Sequence, residues 1–391
     1  MALLDPTSLP LVRLHPVANS RNEWVALRMD LTGGAAPEHA SDDISALFGA
    51  PDLLAAIAPL DCVLHLADPA QLTPNQLSLL PPQRVALAFA GGALAREGTA
   101  QRLAALADAG YRLLLDGPLA FGKARPPQVR AVSLDCRIGA PVAGSLSPAF
   151  GPHLARGVDS VARLAECMRT GFTLFSGDYP LDRTAARPQD ATSRRRILGL
   201  LALLASDADA RELELLLKQD PALSYHLLKL ANSAAFAVNT TITGYAQAIA
   251  VLGRRQLQRW LQLLLYARSE ADGLPNLLLP LAALRAGQLE MLCKRDGGDR
   301  DAQDLAFMTG AFSLLDRLLG MPMAEILADL PLPAHVVAAL LAREGVLGRR
   351  LALSESGPDA ALLADADVDA AAWWDSQLHA HHWAIQVARN V

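Results

Sequence analysis

Cysteine is scarce and scattered. Its four residues, Cys62, Cys136, Cys167 and Cys293, form no Cys-x-x-Cys pair. That spacing excludes a disulfide framework and the common thiolate zinc sites, and it suits ordinary thiols in a reducing compartment. Basic charge is not in excess either. A net charge of −5 and a pI near 6.0 argue against a nucleic-acid surface, which is normally basic. No apolar run reaches the roughly 20 residues that a membrane helix needs. The best stretch, LGLLALLA from Leu198, is too short, and Asp5 and Pro6 interrupt any signal-peptide core. A cytoplasmic protein without membrane insertion is the expectation. Aromatic residues supply only 5% of the chain, whereas 52% is hydrophobic, mostly Leu and Ala. That balance suits a helix-rich fold with an ample core.

A chain of 391 residues is long for one domain. A boundary is expected in the polar run from Asp182 to Ser193, which contains Pro188 and ends in a serine suited to cap a helix from Arg194. The expected domains are therefore residues 1–187 and 188–391. Upstream, short apolar strands are predicted at Leu11–His15, Glu23–Met29, Asp61–Leu66, Arg84–Phe89, Arg112–Asp116 and Ala131–Leu134. Helical stretches such as Thr99–Ala109 lie between them. Strand–helix alternation implies parallel strands in an α/β layer or barrel. Downstream, nearly everything reads as helix broken by Gly and Pro.

The most specific stretch is 223–266. Leu223, Leu227, Leu228 and Leu230 have helical spacing, followed by the polar loop Asn239–Gly244. A second helix is predicted from about Tyr245, with Ile249, Leu252, Leu257, Trp260, Leu261 and Leu264 on its apolar face. The phrases LLKLANSAAF and AQAIAVLG closely resemble the core signature of the HDOD domain. That resemblance implies an all-helical signalling module, similar to HD-type phosphohydrolases but without their metal ligands. The sequence contains no His-Asp dipeptide, which an HD hydrolase requires to hold its metals. His226 and His335 read as ordinary helix residues. His379 and His382, three apart beside His381, share a helix face, but Trp373, Trp374 and Trp383 point to packing rather than metal binding. Farther along, 302–321 reads as one long helix, 323–330 and 332–343 as shorter ones, 343–348 as a tight turn, and 371–388 as a closing helix.

The first half resembles an EAL domain, on the order of AGYRLLLD (109–116), VSLD (132–135), ARGVDS (155–160) and GFTLFSG (171–177). The resemblance implies a TIM-like barrel, of a kind that hydrolyses cyclic di-GMP with two metal ions held by carboxylates at strand ends. Most of those carboxylates are missing here. Val25 stands in the expected Glu position of WVALR, His65 or Leu66 in that of an Asn, and Ala88 or its neighbour in that of a second Glu. Gly117 replaces one Asp of a pair, Ser133 a Lys, Arg156 a further Glu and Ser176 a Gln. Asp116 and Asp135 are the remnants, with Arg28 and Arg156 as conceivable phosphate contacts. Arg156 is equally readable as a solvated surface group. About 20 residues separate Asp135 from Arg156, roughly half the family's usual span, so one strand–helix unit looks trimmed.

Together these readings give a reduced TIM-like, EAL-type α/β barrel followed by an all-helical HDOD domain, with no catalytic residue, cofactor or metal site expected. The resemblance implies bacterial signal transduction through protein–protein contact, linked to cyclic di-GMP and to motility or attachment. A homodimer is compatible with it. Two alternatives stand beside that reading: a receptor for cyclic di-GMP or another nucleotide, and a residual phosphodiesterase. A patch at Arg254, Arg255, Arg259 and Trp260 is one conceivable partner contact. The same residues also read as a solvated edge with Trp260 in the core.

Overall fold

The computed structural model describes residues 10–30, 40–49, 52–117, 126–147, 149–182, 253–267, 274–328 and 330–390, with scattered positions between 199 and 248. They divide into two compact units, Met1–Asp182 and Arg183–Val391. Of the polar boundary run only Asp182 is described.

The first unit is a closed barrel of eight strands in sequential order. They are β1 (Leu14–Asn19), β2 (Trp24–Asp30), β3 (Asp61–Leu66), β4 (Val85–Ala90), β5 (Arg112–Asp116), β6 (Ala131–Asp135), β7 (Leu154–Arg156) and β8 (Leu174–Ser176). Strand β1 runs antiparallel to both neighbours, and the remaining pairs are parallel. The expected barrel is therefore present, with two differences. The first strand lies three residues later than its apolar pattern suggested, with Pro16 inside it. A strand proline needs a free ladder side, and the pairing of β1 with β8 begins only at Ala18. Strands β7 and β8 have three residues each, too short to show an alternation.

Helices α1 (Ala40–Gly49) and α2 (Asp52–Ala56) link β2 to β3, α3 (Pro74–Leu79) links β3 to β4, and α4 (Thr99–Asp108) links β4 to β5. Helix α5 (Val161–Thr170) links β7 to β8, capped by Ser160, whose Oγ accepts from Arg163 N at 3.3 Å. Between β6 and β7 no described residue is helical. The trimming expected there is thus the loss of a helix, with the strand count kept at eight. His153 stitches this irregular connection to the sheet. Its Nδ1 accepts from Val132 N at 3.2 Å, and its Nε2 lies 3.2 Å from the Ser147 carbonyl.

One parity of every strand fills the barrel. Val17, Ala26, Val63, Ala86, Ala88, Leu114, Ala131 and Leu154 form a single buried cluster. Side chains alternate along a strand, so that cluster fixes which strand-end residues face inward: Arg28 and Asp30, His65, Asp116, Ser133 and Asp135, Arg156, and Ser176.

The second unit is helical throughout its described residues. They form α6 (Arg254–Leu264), α7 (Leu278–Arg295), α8 (Arg300–Phe312), α9 (Leu315–Leu319), α10 (Met323–Ala328), α11 (Ala334–Ala342), α12 (Gly345–Ser356), α13 (Ala360–Asp365) and α14 (Ala370–Asn390). Helix α7 packs against α8, α12 and α14, and the approach to α8 is close. A Cβ on Gly310 would stand 2.5 Å from Ala286 N. Three expectations are corrected. Helix α6 starts at Gly253, whose φ of 72° interrupts the longer predicted helix, although Gln247 and Ala248 before it are helical. The long helix over 302–321 breaks at Ser313, whose Oγ donates to Gly310 O at 2.7 Å. The supposed turn at 343–348 is a left-handed Arg343 followed directly by the first turn of α12. Among described residues no helix is long and apolar enough to cross a membrane.

Candidate functional site

Residues at the C-terminal ends of barrel strands share one mouth. The parity of β2 brings Arg28 and Asp30 there, and the two side chains are paired with each other. His65 on β3 places Nδ1 3.1 Å from Asp116 Oδ2 and 3.9 Å from Asp30 Oδ1. Arg156 on β7 donates to the other oxygen of Asp116. Asp116 therefore joins β3, β5 and β7. It is three-quarters buried, with 22% of its side chain exposed, while His65 is enclosed at 2%. Burial alone would raise the Asp116 pKa. The hydrogen bond and charge of His65, with the charges of Arg156 and Arg28, more than offset it and hold the carboxyl below its ordinary value. Burial pulls Arg28 below the usual guanidinium value despite the opposing charge of Asp30, and Arg156 adds to that pull.

Asp135 stands apart from this cluster. It binds Arg137 through both carboxylate oxygens, and this bonding lowers its pKa. Gly157, with φ of 63°, closes over that pair, where a Cβ would strike the side chains of Arg137 and Asp135. Of the four remnant positions, the structure thus brings Arg28, Asp116 and Arg156 together and places Asp135 on an exposed rim. Arg156 is a half-buried partner of Asp116, so its reading as a solvated surface group is corrected.

Two members of the cluster were not among the expected site residues. Asp30 is a third strand-end carboxylate, beside the two remnants Asp116 and Asp135. It shares the parity of Arg28 two residues earlier, and that alternation was the available signal. His65 was noted only as a substitution. Its register partner on β4 is Ala88 and on β2 is Asp30. Val25 lies instead at the start of β2, beside the register shift opposite Val17 and Ala18.

This donor set does not fit two divalent cations. Metal-binding carboxylates need free lone pairs, but both oxygens of Asp116 are engaged, by His65 and Arg156, and one oxygen of Asp30 is engaged by Arg28. Guanidinium groups stand among the carboxylates, so approaching cations would meet like charge. What the mouth offers is mostly donors. Arg28 Nε, Ser133 Oγ and Arg156 Nε are buried without a hydrogen-bond partner, as are the ring nitrogen His65 Nε2 and the acceptor Asp30 Oδ1.

The described residues of the second unit carry charged clusters of their own, Arg259 with Glu290 and Asp304, and Arg285 and Arg343 with Glu355. Among described residues no group of three or more His, Cys, Asp or Glu is placed to hold a metal. His379, His382 and His335 are exposed and His381 is buried, with Nδ1 2.8 Å from Gln377 O. Burial lowers the His379 pKa against the opposing charge of Glu290. His226 lies outside the described residues. Of the basic patch, Arg255 and Arg259 are satisfied internally, and the Arg254 side chain lies outside the described residues. Arg255 pairs with Asp304 at 2.7 Å, while Arg259 pairs with Glu290 at 2.6 Å and Asp304 at 2.9 Å and lies over the Phe307 ring. Trp260 is buried 4.9 Å from the Trp383 ring.

The signature phrase has a physical function at Asn232. Its Nδ2 donates to Leu228 O and Ile242 O, each at 2.8 Å, and its Oδ1 accepts from Ile242 N at 2.7 Å. One amide thus ties the end of a helix to both backbone groups of a buried residue ten positions on.

The model of the HDOD domain matches residues 188–276. A curated relative, cyclic di-GMP phosphodiesterase CdgJ of Vibrio cholerae, is 30% identical over 205 residues, covering 52% of this chain and 47% of the relative. The uncharacterized protein YuxH of Bacillus subtilis is 27% identical over 195 residues, 49% and 47% of the two chains. The chain thus spans about half the length of the curated relatives it matches. Among solved structures, Klebsiella pneumoniae BlrP1 with manganese and cyclic di-GMP aligns at a TM-score of 0.37 and 17% identity, over 45% of this chain and 56% of that one. The EAL domain of Mycobacterium smegmatis DcpA aligns at 0.34 and 17%, over 43% and 89%. The chain thus has a closed eight-stranded barrel in its first unit and a match to the HDOD domain over residues 188–276.

Proposed function

We propose that this chain is a non-enzymatic signal-transduction protein of the bacterial cytoplasm that works through protein–protein contact in a cyclic di-GMP-linked setting. One observation carries the non-enzymatic part. Asp30, Asp116 and Asp135 are each committed to an arginine, and Asp116 to a histidine as well. The setting is supported by the Vibrio relative, whose name is that of a cyclic di-GMP phosphodiesterase, and by the HDOD match. Control of motility or attachment, a protein partner and a homodimer belong to the same proposal. The test is hydrolysis of cyclic di-GMP by the full chain with Mg²⁺ and with Mn²⁺. No turnover is expected, and turnover abolished by Asp116→Ala refutes the proposal.

A second reading, nucleotide reception without hydrolysis, is favoured by the unpartnered donors of Arg28, Arg156 and Ser133, which suit phosphodiester oxygens. Calorimetric titration of the full chain with cyclic di-GMP decides it. Saturable heat that Arg28→Ala removes supports a receptor. No heat at high-micromolar nucleotide eliminates it.

A further inference from the structure

Helix α5 is only half covered. Of its 10 residues Cys167 and Thr170 are buried, and Val161, Ala162, Ala165, Met168 and Arg169 are exposed. Steps of four and three set Val161, Ala165 and Met168 on one outward stripe, which carries no charge before Arg169. The exposed residues of α4, by contrast, include Gln101 and Asp108. The connection without a helix runs along the flank of α5. Gly144 N donates to Arg169 O at 3.0 Å, Leu146 N to Thr170 O at 3.2 Å, and Thr170 Oγ1 to Pro141 O at 2.9 Å. On that connection Ile138 and Val142 are 101% and 81% exposed, and on the helix Met168 and Val161 are 40% and 39% exposed. Single apolar residues on a surface are ordinary, but an apolar helix face continued by an apolar loop marks a contact surface.

We propose that this face, α5 with residues 138–142, is where two copies of the chain pair about a two-fold axis. It rests on the homodimer named above and gives that dimer its surface. The charges at the two ends of the face select the occupant. Asp159, just before the Ser160 cap, and Arg169, in the last turn, are both exposed. Neither has an ion-pair partner among the described residues, and Asp159 accepts only from Ser160 Oγ at 3.0 Å. A copy turned about a two-fold axis runs its α5 antiparallel to the first. The pair Asp159 and Arg169 is centred on Leu164, and the pair Val161 and Met168 between Leu164 and Ala165. One axis at that point therefore sets each Arg169 against the other copy's Asp159, and each Met168 against the other copy's Val161. Ala165 beside the axis is small enough for the helices to approach, and their opposed dipoles favour the antiparallel sense. A different partner would have to supply its own apolar and acidic groups in this order, which a second copy already carries.

Sedimentation velocity on the full chain is expected to show a concentration-dependent dimer. Met168→Glu, which sets a charge among apolar groups twice per dimer, should raise the dimer Kd at least about tenfold. Asp159→Arg or Arg169→Asp alone should weaken the dimer several-fold, and the two together should restore it, because the opposed charges are merely exchanged. Under mild oxidation Ala165→Cys, beside the axis, should give a disulfide-linked dimer, whereas Ala105→Cys on α4 and the wild type give none. A dimer that Met168→Glu and both charge reversals leave unchanged overturns the assigned face while the homodimer itself stands, as does equal cross-linking through Ala105→Cys. A chain that stays monomeric at roughly 100 µM overturns the face and the homodimer together.

Discussion

Replacing Asp116 by alanine removes the carboxylate that joins three strands of the barrel. Truncating a charged hydrogen-bond partner costs about 1.5–3 kcal/mol per bond. Asp116 makes two such contacts, to His65 at 3.1 Å and to Arg156. Asp30 Oδ1, 3.9 Å from His65 Nδ1, recovers part of the first, and water reaching Arg156 recovers part of the second. A net loss of about 2–3 kcal/mol follows, well short of the sum. For a unit of this size, that lowers Tm by about 4–12 °C, measured by calorimetry on the full chain. Asp135→Ala is the control, because its partner Arg137 is exposed; its shift should be far smaller. The sign with pH follows from the depressed Asp116 value. The stabilisation is complete above the ordinary carboxylate pKa of about 4 and is lost as pH falls through the lower folded value. The gap between wild type and Asp116→Ala should stay constant from about pH 7 to 5 and close below about pH 4. Carboxylates gathered to hold cations repel one another without them, so in that case removing one would stabilise. An unchanged or raised Tm for Asp116→Ala refutes the ion-pair reasoning.

Asn232→Ala leaves both backbone groups of buried Ile242 without their side-chain partner and should cost about 2–3 kcal/mol in urea unfolding. Asn232→Asp, which keeps only the acceptor, should recover part of that loss. Gly310→Ala forces a Cβ against the backbone of Ala286, so its cost should reach at least about 2 kcal/mol; Gly287→Ala, whose nearest neighbour is a Trp383 side-chain atom at 3.3 Å, should cost less. Glu355→Ala removes the carboxylate that binds Arg285 and Arg343 at 2.9 and 2.8 Å while leaving their bonds to Ser313 and to the Ala339 and Leu340 carbonyls, and should cost about 1.5–3 kcal/mol. Equal stability for Glu355→Ala and wild type would show that the two arginines find other partners.

The sequence made the two-part plan legible because hydrophobic periodicity changes at the boundary from strand-and-helix to helix alone. Strands β2 to β6 were visible as apolar runs, whereas β7 and β8 were too short to alternate and were marked only by the phrases around them. The site was harder to read. Asp116 and Arg156 are 40 residues apart, and nothing local indicates that barrel closure makes them partners. Asp30 was missed because the strand was judged by the absence of a glutamate at one position. Its parity with Arg28 was the physical signal. In the second unit, the helix predicted from about Tyr245 ran through Gly253, whose positive φ places a break there.

Stability in the presence of divalent cations separates the two physical accounts of the mouth. A ligand that binds only the folded state stabilises it by RT ln(1 + [L]/Kd), about 2.7 kcal/mol at a hundredfold excess over Kd. A carboxylate site with a Kd near 10 µM would therefore gain about that much in 1 mM Mn²⁺, a rise of several degrees in Tm. Here Arg28 and Arg156 already balance Asp30 and Asp116, two positive charges against two negative. Binding a cation would require breaking a guanidinium contact and then accepting that arginine as a like-charged neighbour. No shift in Tm is expected with Mg²⁺ or Mn²⁺ at millimolar concentration. Arg156→Ala should not create one, because Asp116 keeps its bond to His65. A cation-dependent rise in wild type that Asp116→Ala abolishes would mean that the arginines swing aside for metal, and the barrel would then have to be regarded as a cation site after all.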